Sequence, residues 1–61
     1  MNRDQTKSIR LNTLLKLADT MTYDQLYTKC MTWGVTRPTA VGYLNSVQAL
    51  MNRMGKTMNY D

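Results

Sequence analysis

A chain of 61 residues supports one small domain that buries only about 60% of the surface its unfolded form exposes, which leaves no room for a large enclosed active site. A hydrophobic share of 43% is too high for a disordered tail, and eight Lys and Arg against four acidic residues give a net charge of +4, a balance that favours polyanionic partners. The single cysteine, Cys30, excludes an internal disulfide, a zinc-ligand set and a redox pair, and points to a reducing, cytoplasmic setting.

Residues 1–7 are polar and of mixed charge, and read as a flexible basic arm carrying Arg3 and Lys7. No apolar run follows that resembles a signal peptide, and nowhere do about 18 apolar residues run together, so no membrane association is expected. From Ser8 the pattern becomes helical. Leu11, Leu14, Leu15, Ala18 and Met21 fall on one apolar stripe, with Ile9 and Leu17 at its margins and Arg10, Asn12, Thr13 and Lys16 facing outward. The spacing predicts a first helix over about residues 8–19.

Thr22-Tyr23-Asp24-Gln25 matches a capping box, in which the threonine hydroxyl accepts the N3 amide proton and the Gln25 side chain reaches back to the cap amide. A second helix over about 23–33 follows. Leu26, Cys30 and Trp33 share its inner face, with Tyr23, Tyr27 and Met31 beside them. Gly34 stops it, as a glycine does where the turn needs a left-handed backbone. Thr36 stands at the cap of a third helix over about 37–54, and Pro38 is compatible with its first turn. Ala40, Leu44, Val47, Met51, Met54 and Met58 then recur at spacings of three and four. Met51, Met54 and Met58 serve either to extend the core over the first helix or as a contact with a partner subunit. Gly55 weakens or ends the helix, and residues 55–61 read as a frayed tail or an extension ordered by a partner. No period-2 run marks a strand. The expected fold is an all-α three-helix bundle, residues 8–54.

At Gly34-Val35-Thr36-Arg37-Pro38-Thr39-Ala40 and Tyr43-Leu44 the chain resembles the helix-turn-helix superfamily of DNA-binding proteins, in its compact three-helix form without a wing. The likeness covers about residues 23–44, with Cys30 at the small-residue position where the two helices cross and Trp33 at the apolar place before the glycine. Lys29 departs from it, being polar where the superfamily commonly has an apolar residue. The resemblance implies that the start of the third helix enters a major groove of double-stranded DNA, with Arg37, Val41, Gly42 and Asn45 at the bases. Arg suits guanine, Asn suits adenine, and Val41 reaches a thymine methyl at most. Lys7, Arg10, Thr22, Lys29, Thr36 and Thr39 are the expected phosphate contacts.

The function that follows is a small transcriptional regulator or accessory DNA-binding factor, working as a homodimer or in a larger assembly. The alternative is a protein-interaction module of the same shape that docks through its Met-rich helix. Catalysis is not expected: there is no histidine to activate Cys30, and Asp4, Asp19, Asp24 and Asp61 form no helical pair. No cofactor, metal or small-molecule ligand is indicated.

Overall fold

A computed structural model describes residues 3–60. Three helices, α1 (Arg3–Leu17), α2 (Tyr23–Met31) and α3 (Arg37–Arg53), form an all-α bundle in which α1 and α2 both pack principally against α3. Among the described residues there is no strand, only an isolated parallel bridge between Thr22 and Asn59.

The first correction concerns the arm. Helix α1 begins at Arg3, so the stretch expected to be flexible is helical, apart from residues 1 and 2, which lie outside the described residues. The reason is propensity: Arg, Gln and Lys are good helix formers, and no glycine or proline interrupts residues 3–8. At the other end the helix stops at Leu17, whose carbonyl accepts from the amides of Thr20 and Met21 at 3.0 and 2.9 Å and so turns the chain.

Leu14 and Ala18 of the α1 stripe are fully buried, and Leu11, Leu15, Leu17 and Met21 pack around them half-buried. Leu26 and Cys30 enter the core from α2, and Ala40, Leu44, Val47 and Met51 enter from α3. Trp33 lies at the core's edge, half-buried, beyond the end of α2. The turn that follows has Gly34 at φ +76° with its amide donating to the Met31 carbonyl at 3.1 Å, while Val35 packs into the corner. The left-handed backbone explains the glycine there.

The second correction concerns the C-terminal segment, which is neither frayed nor an extension of α3. The amides of Gly55 and Lys56 donate to the carbonyls of Asn52 (3.1 Å) and Met51 (2.9 Å), with Gly55 at φ +74°. This is a Schellman cap, and it reverses the chain. Met58 then drops into the core, 4% exposed. Beyond it the Asn59 carbonyl accepts the Tyr23 amide proton at 2.7 Å, and its side-chain amide donates to the Ala18 carbonyl at 3.4 Å. Tyr60 stacks on Tyr23 with ring centroids 5.5 Å apart. Lys56 pairs with Asp19 at 3.4 Å, an exposed contact of little energetic weight. Burying Met58 contributes about 1.5–3 kcal/mol, which is the physical reason the chain returns instead of fraying.

The methionine seam is divided as a result. Met51 and Met58 are core residues, 2% and 4% exposed, and only Met54, at 52%, faces outward. Of the two roles the spacing allowed, Met51 and Met58 take the core one, and the partner surface is reduced to Met54 because the turn at Gly55 returns Met58 to the core.

Candidate nucleic-acid interface

The two helix starts differ in how their amides are satisfied. At α2 the capping box is complete: the Gln25 amide donates to Thr22 Oγ1 at 3.3 Å, and the Thr22 amide donates to Gln25 Oε1 at 2.9 Å. The Tyr23 amide is taken by Asn59, and Asp24 puts a carboxylate in the first turn. Thr22 was expected to present its oxygen and the neighbouring amides to a phosphate. Instead that oxygen accepts from its own helix, and the returning tail occupies the next amide. At α3, Thr36 sits at the cap with an extended backbone, yet its side chain makes no capping hydrogen bond and donates to Thr39 Oγ1 at 3.0 Å.

No acidic residue stands in the first turn of α3, which carries Arg37. A cation there adds to the positive end of the helix dipole. Arg37 and Val41 line a shallow groove of about 210 Å³ with Tyr23, Asp24 and Tyr27 of α2, so the two helix starts face a common space.

Along α3 the exposed row is Pro38, Gly42, Asn45, Ala49 and Asn52, opposite the buried row Ala40, Leu44, Val47 and Met51. The helix has no acidic residue anywhere, and Arg53 closes its last turn. A Cβ built on Gly42 meets nothing within 4 Å, so the folded domain itself does not require a glycine there. Gln48 and Asn52 lie three and seven residues beyond Asn45, on its side of the helix, and add two amide side chains to the set read from the sequence. Helical spacing alone was enough to find them.

No protein family, curated protein or solved structure matches the chain.

The remaining basic residues are arranged differently from the single phosphate-contacting surface the sequence led us to expect. Arg10 donates from Nη1 to the Tyr43 hydroxyl at 3.2 Å, and its guanidinium carbon lies 5.5 Å from the centre of the Trp33 ring. Lys29 Nζ approaches the same ring at 6.0 Å. Tyr43 is about 160° around the helix axis from Asn45, so this cluster belongs to a different side of the molecule from Arg37, Val41 and Asn45. Arg10 and Lys29 are thus corrected from the phosphate set to a group around Trp33. Lys7 is exposed on the outer part of α1.

Cys30 is fully buried, and burial pushes its thiol up, only partly offset by a backbone hydrogen bond and the nearby Arg10 charge. Such a thiol resists ionisation and is a packing residue. Among the described residues no cluster of His, Cys, Asp or Glu is placed to hold a metal, and no helix is long and apolar enough to cross a membrane.

Proposed function

We propose that this chain is a non-enzymatic, helix-turn-helix DNA-binding protein, acting in transcriptional regulation or as an accessory DNA-binding factor in the cytoplasm or nucleoid. The observation that carries the reading is the outward surface of α3. It is free of carboxylates, begins at a helix end with no side-chain cap and an arginine in the first turn, and is flattened at Gly42. A negatively charged surface can approach it meeting a like charge only at Asp24 of α2, across the groove from Arg37, and the helix end favours an anion.

In this reading Arg37 and Asn45 contact base edges, Val41 meets a thymine methyl, and Gly42 lets the backbone come close. Thr36, Thr39 and the first amides of α3 take the phosphates, with Lys7 supplying charge at longer range. A single module covers about 600–1,000 Å² of its own surface on DNA. Against a total accessible surface of 4283 Å² that is a modest contact, so a second copy on an adjacent half-site would strengthen binding. The rival reading, docking through the methionine seam, has two of its three methionines in the core.

The test is a fluorescence-anisotropy titration against random duplex DNA at two salt concentrations. Affinity should fall steeply with salt, and Arg37→Ala should cost about 1–3 kcal/mol. Lys29→Ala, on the other side of α3, should have little effect. No binding at low salt, or a Lys29→Ala loss as large as that of Arg37→Ala, would refute the proposed docking.

A further inference from the structure

The cluster around Trp33 is left without a role by DNA binding through α3. It borders a cleft of about 280 Å³ between α1 and the end of α2, lined by Thr6, Ile9, Arg10, Thr13, Lys29 and Trp33. Ile9 is 51% exposed there, a large apolar side chain given to solvent. Neither Arg10 nor Lys29 is paired with a carboxylate among the described residues; both lie over the Trp33 ring instead. Among the described residues, none that lines the cleft is acidic.

We propose that this cleft is the docking site for an acidic segment of a partner protein bearing a single apolar anchor. The anchor side chain lies against Ile9 and Trp33, and carboxylates flanking it bind Arg10 and Lys29. Three observations select this occupant. The volume lies below the roughly 300–1,000 Å³ of clefts that enclose small ligands, but it admits one aromatic or leucine side chain. The charges described at the rim, those of Arg10 and Lys29, are both positive, and cations resting on a ring at 5.5 and 6.0 Å exchange that contact for a stronger one when a carboxylate arrives. The apolar floor at Ile9 is unsuited to a phosphate backbone, and the Tyr43 side of α3 faces away from Asn45. The site is therefore independent of the proposed DNA contact, and both can be occupied together.

Trp33 is the chain's single tryptophan, so its fluorescence reports the cleft directly. The full chain is titrated with a capped synthetic peptide in which Phe is flanked by two Asp on each side. Two controls accompany it, one with Ala in place of Phe and one with Asn in place of every Asp. The Phe peptide should bind at least about tenfold more tightly than either control, and Ile9→Ser and Lys29→Gln should each weaken it by about tenfold. Ile9 is exposed and Lys29 half-buried with its ammonium over the Trp33 ring, so melting temperatures are compared with the parent to separate lost binding from lost fold. The proposal is overturned if no peptide binds, if the three bind alike, or if binding survives both substitutions. It is equally overturned if a short DNA duplex displaces the peptide and Lys29→Gln weakens the duplex to the same degree, which would make the cleft a nucleic-acid surface.

Discussion

Alanine at Gly42 and alanine at Gly34 are the same chemical change made in equally open space, since an added Cβ meets nothing within 4 Å at either position. They differ in backbone alone. Gly42 is interior to α3, where glycine is less favourable than alanine by about 0.5–1 kcal/mol. Gly34 sits at φ +76°, where a Cβ costs about 1–2 kcal/mol. Gly42→Ala should therefore raise the melting temperature by about 2–8 °C, and Gly34→Ala should lower it by about 4–16 °C, on the scale of small domains. Thermal melts followed by circular dichroism read both. Shifts of the same sign would refute the reasoning, because volume and hydrophobicity change identically in the two variants. The pair also bears on function: if DNA approaches the α3 backbone at Gly42, the more stable variant should be the weaker binder.

Met58→Ala should cost about 2–5 kcal/mol by urea unfolding, a large share of the roughly 3–9 kcal/mol expected of a chain this size. Met54→Ala, at an exposed site, should stay within about 0.5 kcal/mol. Equal small effects would mean that the C-terminal segment does not close the core. For Cys30, both the folded and unfolded states keep the thiol proton below its ordinary pKa of 9.0. Above it the unfolded chain ionises first, so the folded state loses stability as pH rises through the raised native value. The stability of the parent should consequently decline relative to Cys30→Ala from about pH 9 upward, and parallel curves for the two would refute it.

The middle of the molecule was legible because each signal there is local. Thr22 and Gln25 form a capping box within four residues, Gly34 answers to its own φ, and Ala40, Leu44 and Val47 need only helical spacing to be placed inside. The ends were harder for opposite reasons. Residues 3–7 offer nothing to bury, yet their propensity extends α1. Residues 56–60 are polar but for Met58 and Tyr60, yet Gly55 turns them back so that Met58 enters the core and Asn59 meets partners about 40 residues earlier in the chain. Periodicity carries no information about such a return. At the interface, Arg37 and Asn45 were readable from position on the helix, whereas the separation of Arg10 and Lys29 from them depends on how α1 and α2 wrap α3.

Helix α3 is divided lengthwise into a row that joins the other helices and a row that touches none of them. Substitutions along Asn45, Ala49 and Asn52 leave the packing untouched, and exposed positions of this kind typically shift stability by no more than about 0.5 kcal/mol. What the outer row contacts can thus diverge rapidly between descendants of one ancestor while the domain's shape stays constant. A library randomised on that row alone would sample new binding preferences with few members lost to misfolding.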